Sequence, residues 1–159
     1  MDLNNIPQAV IDTTTKVFES MVFMKVQGGT VDGEIGIKEK HLTAMVGFAG
    51  SYVGLAAIHC SERFSREIGA SMLMMDADKL TAEDVRDALG EIANMIAGHF
   101  KARLAETLKT QEQVFEQSVP SVISGDDYQT FAVTDAPRHC VEFNCDKGNF
   151  YVEMALKKG

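Results

Sequence analysis

The segment from Asp87 to Gly98 constrains this chain more than any other, because it has two distinct faces when placed on a helix. At about 100° per residue, Asp87, Glu91, Asn94 and Gly98 fall within roughly 60° of one another and form one polar stripe. Apolar residues cluster near the opposite side, namely Val85, Leu89, Ile92, Ile96 and Phe100. The pattern predicts a helix with one face buried in a core.

The residues of the polar stripe are poor choices for a helix that needs only a solvated face. Asn is a weak helix former, and Gly90 and Gly98 together cost up to about 2 kcal/mol relative to Ala. A solvated face is built more favourably from Glu, Lys or Gln. We therefore take Asp87, Glu91 and Asn94 as candidate functional residues, with the two glycines beside them.

Length and charge exclude several classes of protein. The 159 residues predict a single domain over 1–159 that is long enough to bury a core. A net charge of −8 argues against a nucleic-acid partner, because the phosphate backbone would be repelled. The first residues lack the features of a signal peptide, and apolar stretches such as 52–58 are too short to span a bilayer. We expect a cytoplasmic protein with no membrane partner.

Two His-Cys dipeptides raise the alternative of a metal or redox protein. His59-Cys60 and His139-Cys140 contain residues that bind zinc, and Cys145 is the third cysteine. Neighbouring residues of a strand point to opposite faces, so each dipeptide offers at most one ligand per face. Buried free thiols are the simpler interpretation. We expect no metal or cofactor site in this chain.

Periodicity and turn residues predict the order of the elements. A first helix begins near Pro7, ends near Lys25 and is followed by Gly28-Gly29. Ser61 is placed to cap a second helix, and Thr81 with Asp84 forms a capping box for a long third helix. Strands are predicted at 42–48, 52–60, 119–124, 128–133, 140–145 and 150–156, the first two forming a hairpin. This order indicates an α+β fold with long helices packed on a mainly antiparallel sheet.

These residues together resemble the CheC/CheX/FliY family of chemotaxis phosphatases, and its CheX-like members in particular. The family's helix signature is Asp or Ser, three residues, Glu, two residues and Asn, which Asp87, Glu91 and Asn94 match. The segment 118–125, with its Pro120, is similar to the family's downstream proline segment. The gap from Asn94 to Pro120 is a few residues longer than the corresponding gap in CheC. The hairpin over 45–55 is similar to the family's glycine-punctuated strand pair.

The resemblance also indicates how many active sites to expect. CheC-type proteins carry two such helices. When the first helix is aligned with the motif from Asp12, Lys16 and Glu19 occupy the Glu and Asn positions, so no intact second copy exists. One active site is expected.

The resemblance implies a CheC-like fold and a phosphatase that removes the aspartyl phosphate of a CheY-like response regulator. Asn94 would position the attacking water, as a carboxamide does in small GTPases, and Glu91 would pair with the regulator's lysine. The regulator would hold Mg²⁺, and Gly90 and Gly98 would let its surface approach the helix. Asp87 would either support the site or be a surface acid. The alternative is a non-catalytic adaptor that binds a response regulator or a flagellar-switch component.

The end of the chain predicts a homodimer. The strands at 140–145 and 150–156 would form an open edge that needs to be covered. The resemblance to CheX-like proteins, which pair their subunits through sheet edges, also implies a dimer. We expect Tyr151, Met154 and Leu156 to be partly buried in such an interface.

Overall fold

A computed structural model of the chain describes residues 5–31, 35–130 and 135–159. The described residues form three α-helices: α1 (Ile6–Val17), α2 (Glu62–Leu73) and α3 (Ala82–Thr107). They also form seven strands: β1 (Gln27–Thr30), β2 (His41–Ala49), β3 (Tyr52–Ser61), β4 (Glu116–Gln117), β5 (Ser121–Gly125), β6 (Arg138–Cys145) and β7 (Gly148–Lys158). The α+β class is confirmed.

The strands form one antiparallel sheet in the order β1-β6-β7-β3-β2, with β4 and β5 both pairing with the outer side of β2. The predicted central hairpin is confirmed, with His41 opposite Ser61 and Phe48 opposite Gly54. A Cβ atom at Gly54 would lie 1.8 Å from the carbonyl oxygen of Ala155 on β7, so only glycine fits there.

The core lies between the sheet and the helices. Alternate residues of β2 are buried on the side of the helices, namely Leu42, Ala44, Val46 and Phe48. Phe150 on β7 stacks on Phe18 at 4.5 Å between ring centroids, on Phe143 at 5.1 Å and on Phe64 at 5.8 Å. This aromatic cluster joins the sheet to the ends of α1 and α2.

The predicted helix starts are confirmed, but the end of the first helix is not. The Ser61 hydroxyl accepts a hydrogen bond from the backbone N–H of Phe64, which caps α2. The first helix continues past Val17 only as a π-helical segment, Phe18–Val22, and ends there because Phe23 takes a left-handed conformation. Lys25 therefore lies beyond the helix.

Gly28 and Gly29 belong to a strand rather than to a helix end. They lie in β1, where Gly28 pairs with Phe143 of β6. A Cβ atom at Gly28 would lie 2.7 Å from the Phe143 ring, so the glycine is required by a contact with a residue far along the chain. The prediction that Gly28 and Gly29 mark the end of the first helix is therefore wrong.

The later strands are confirmed with two exceptions. The short β4 was not predicted. The strand expected at 128–133 is wrong for residues 128–130, which are irregular, and its remainder lies outside the described residues.

The reason given for a dimer is wrong, because the late strands do not form an edge. β7 lies between β6 and β3, and β6 lies between β1 and β7. Tyr151, Met154 and Leu156 are already buried within a single chain. Among the described strands, β1 forms one edge of the sheet, and β4 with β5 forms the other.

A buried polar chain crosses the sheet on the face opposite to the helices. His59 Nε2 lies 2.7 Å from Glu153 Oε1, and Arg138 Nε donates to Glu153 Oε2 over 2.8 Å. The Thr43 hydroxyl lies 2.7 Å from His59 Nδ1 and 2.8 Å from the Tyr128 hydroxyl. Burial opposes the charge on Glu153, but the contacts with His59 and Arg138 outweigh it and lower the pKa of this carboxyl to about 2.

Candidate active site

Helix α3 is positioned by its first turn and by its buried face. The Thr81 hydroxyl accepts from the backbone N–H of Asp84, and the Asp84 carboxylate accepts from the backbone N–H of Thr81, each over 3.0 Å. This confirms the capping box. All five predicted core residues of the helix are at most 2% exposed: Val85, Leu89, Ile92, Ile96 and Phe100.

The polar stripe lies on the surface of α3. Asp87 and Glu91 are exposed, whereas Asn94 and Gly98 are half-buried. Solvent and a docked protein can therefore reach both acids. The carboxamide of Asn94 is more enclosed, since the chain returns beside it at β4.

A side chain from β4 holds the carboxamide of Asn94. The Gln117 side-chain amide donates to Asn94 Oδ1 over 2.9 Å and to the backbone carbonyl of Asn94 over 3.2 Å. Gln117 also covers Gly98, because its Oε1 lies 3.8 Å from the position that a Cβ atom would take at Gly98. Residues of both α3 and β4 therefore form the half-buried end of the polar stripe.

Sequence reasoning missed Gln117. It lies 23 residues from Asn94, in a strand of two residues that is too short to show a period. Its position shortly before Pro120, in the segment that resembles the family's proline segment, is the only signal in the sequence that could have identified it.

Gly90 does not lie on the open surface, contrary to the interpretation that its missing side chain admits a partner. It is buried, and a Cβ atom there would lie 3.6 Å from both Pro120 Cβ and Val122 Cγ2. The close approach at Gly90 is thus made by the chain's own proline segment. The structure thus places the proline segment against the helix of the polar stripe.

Helix α1 packs along α3 and carries the positions that correspond to a second motif. Asp12 accepts a hydrogen bond from Arg103 of α3 over 2.8 Å and another from Gln8 over 2.8 Å. Lys16 lies one turn further along α1 and lines a groove with His99 of α3. Asp12 is therefore engaged in an ion pair between the helices.

The His-Cys dipeptides are divided between the two faces of the sheet. His59 belongs to the polar chain described above, whereas Cys60 points into the helix-facing core, where burial raises its pKa to about 12. Within the described ranges, no three His, Cys, Asp or Glu residues are grouped as a metal site would require. None of the helices described there combines the length and the hydrophobicity that a membrane span requires.

Comparison with known families identifies the chain. The model of the family described as chemotaxis phosphatase CheX matches residues 42–144, which include the polar stripe, Gln117 and Pro120. The chain belongs to the CheX family. The resemblance inferred from Asp87, Glu91 and Asn94 is thereby confirmed at the level of the family. No curated protein matches the sequence directly.

Solved structures show the same fold. A chemotaxis protein CheX from Desulfovibrio desulfuricans is 26% identical, with a TM-score of 0.78 over 96% of this chain and 99% of that one. A CheC-like superfamily protein from Shewanella sp. PV-4 is 23% identical, with a TM-score of 0.81 over 99% of each chain. A CheX–CheY–BeF₃–Mg²⁺ complex from Borrelia burgdorferi is 19% identical, with a TM-score of 0.72 over 95% of this chain and 97% of that one. The expected CheC-like fold is confirmed.

Proposed function

We propose that this protein is a phosphatase that hydrolyses the aspartyl phosphate of a CheY-like response regulator. One observation carries the proposal: a carboxylate and a carboxamide, Glu91 and Asn94, lie within one turn on the accessible side of α3 in a chain of the CheX family. The Borrelia complex supports a CheY-like partner, because its CheX is bound to a CheY.

Hydrolysis of an aspartyl phosphate requires the phosphatase mainly to position the attacking water. Water attacks phosphorus in line with the bond to the aspartate, this bond breaks, and its electron pair returns to the aspartate carboxylate. The protons of the water go to the phosphate and to solvent. Asn94 would hold the water by hydrogen bonds without acting as a strong base.

Glu91 is assigned a binding role. Its exposed carboxylate would pair with the regulator's lysine and fix the orientation of the two proteins. Asp87 lies one turn before Glu91 on the same stripe and would support this contact. We expect the regulator to hold the Mg²⁺ ion, and both proteins to meet in the cytoplasm.

The proposal is tested by mixing the purified protein with each response regulator of the same organism after phosphorylation by a small phosphodonor. We expect substoichiometric protein to accelerate phosphate loss from at least one regulator. If regulators bind but none loses phosphate faster, the protein is an adaptor and the proposal is wrong.

We also propose a homodimer, now through an edge of the sheet other than the one first expected. At the β4–β5 edge, Val119 is 85% exposed and Ile123 is 39% exposed, which leaves apolar side chains beside an edge strand. Light scattering at micromolar concentration should give twice the mass of one chain. The mass of a single chain would contradict the dimer.

A further inference from the structure

Gln117 is the residue outside the predicted motif that contacts the carboxamide of Asn94. It is half-buried, and its side-chain nitrogen donates both to Asn94 Oδ1 and to the backbone carbonyl of Asn94. Two hydrogen bonds to a single residue fix direction as well as distance. The contact is therefore suited to orienting the carboxamide.

The backbone around Gln117 is anchored on both sides. Gln117 pairs with Phe48 of β2, and the next residue, Ser118, exchanges two hydrogen bonds of 2.9 Å with the backbone of Gly47. Phe115 is 1% exposed and stacks on Phe48 at 4.1 Å. Because β4 is held by the sheet and by the core, the position of Gln117 relative to α3 is fixed.

The pair of hydrogen bonds also determines which atoms of the two amides face each other. A backbone carbonyl can only accept, so the side-chain group of Gln117 that contacts it must be the NH₂ group. The same NH₂ group contacts the side chain of Asn94, which must therefore present its oxygen. The NH₂ group of Asn94 then points away from Gln117.

We propose that Gln117 is a positioning residue for the reaction: it holds the Asn94 carboxamide in one orientation for the attacking water. Asn94 Oδ1 keeps a second acceptor position, and its NH₂ group keeps two donors, which can hold a water and a phosphoryl oxygen. The other amide atom of Gln117, Oε1, lies over Gly98 of the same polar stripe. The inference rests on the proposed function, since it assigns Gln117 a role only through Asn94.

The experiment measures two quantities for each variant: the rate constant for loss of the regulator's phosphate at saturating protein, and the protein concentration that gives half of that rate. Gln117→Ala should lower the saturated rate by about 10- to 100-fold, the size of effect expected when a reacting group is misplaced. The half-saturating concentration should stay unchanged, because a residue that acts only through Asn94 changes the rate within the bound complex rather than the formation of that complex. Gln117→Glu keeps the size of the side chain but removes its donors, so it should show the same loss.

The matched control is Glu116→Ala on the same strand. Glu116 is exposed, and its side chain points to the opposite side from Gln117. This variant should react at the wild-type rate. Circular dichroism of all variants should show the wild-type fold, and Gln117→Glu tests the proposal even where Gln117→Ala does not fold.

A double variant separates this inference from the proposed function. If Gln117 acts through Asn94, Gln117→Ala should slow the reaction no further in the Asn94→Ala background. Additive losses, or wild-type rates for Gln117→Glu while Asn94→Ala is slow, would overturn the positioning role and leave the proposed function standing. A wild-type rate for Asn94→Ala would instead overturn the proposed function itself.

Discussion

His59 Nε2 lies 2.7 Å from Glu153 Oε1 in the interior of the sheet, where both side chains are at most 10% exposed. The two side chains belong to strands that are adjacent in the sheet, His59 to β3 and Glu153 to β7. Arg138 contacts the other oxygen of Glu153. The carboxylate thus connects β3, β6 and β7, on the face of the sheet opposite to the polar stripe.

The low pKa of Glu153 predicts how stability depends on pH. A carboxyl whose pKa falls from 4.5 to about 2 on folding stabilises the folded state above the unfolded pKa and loses this contribution as pH falls through the folded pKa. Wild-type protein should therefore lose on the order of 3 kcal/mol of unfolding free energy between about pH 5 and pH 2. Urea unfolding across this range measures the loss.

Glu153→Gln should remove this part of the pH dependence and lower stability at pH 7 by a few kcal/mol, because it breaks a buried ion pair. Glu67→Gln is the control, since Glu67 contacts Lys147 near the surface at 3.3 Å and contributes under about 1 kcal/mol. An unaltered pH profile in Glu153→Gln would show that Glu153 is not responsible for it.

Gly90→Ala and Gly98→Ala should separate packing from partner binding. Each replaces a helical glycine and should stabilise α3 by up to about 1 kcal/mol, because the new methyl group meets its neighbours at ordinary contact distances. Thermal unfolding measures this gain.

Only Gly98→Ala should weaken association with the phosphorylated regulator, because Gly90 is buried under Pro120 whereas Gly98 lies on the polar stripe. Titration of the regulator with each variant compares the affinities. Equal affinities for both variants would exclude Gly98 from the docking surface.

Glu91→Ala should weaken association and slow turnover, and the salt dependence of binding should decrease with the loss of this charge. Asp87→Ala should weaken association less, since the proposed function gives Asp87 only a supporting role. Glu106→Ala is the control, because it removes an exposed acid of α3 that lies off the polar stripe. A wild-type affinity for Glu91→Ala would contradict the assigned ion pair.

Elements whose residues follow a local periodic pattern were predictable from the sequence. Helix α3 has a clear period and a capping box, so its buried face and polar stripe followed from the residues alone. Gly28 shows where such reasoning fails: its requirement comes from Phe143, a residue on another strand. The contact of Gln117 could not be predicted for the same reason, because only the folded sheet brings this residue to Asn94.

The order of the strands in the sheet also could not be predicted from the sequence. The terminal strands looked like an edge because they come last in the chain, but β7 pairs with β3 and β6 and is internal. Strand order depends on contacts between residues distant in sequence, which leave no local pattern. The interpretation of Tyr151 and Met154 as interface residues failed with it.

Asn94→Ala should leave the fold and the unfolding free energy within about 1 kcal/mol of wild type. The hydrogen bond lost from Gln117 is offset in part by the higher helix propensity of Ala. Gln117 also keeps its bond to the backbone carbonyl at position 94, so its donor group is not left without a partner. Thermal unfolding beside wild type checks this, and a large loss of stability would show that Asn94 has a structural role.

The most direct test of the central claim is the rate at which a phosphorylated regulator loses its phosphate with saturating Asn94→Ala protein. If Asn94 positions the attacking water, this rate should fall by about 10² to 10³ relative to wild type, as for the loss of a preorganised hydrogen-bonding group at a reacting centre. Binding of the regulator should remain, because Glu91 is intact. A rate equal to that of wild type would contradict the mechanism.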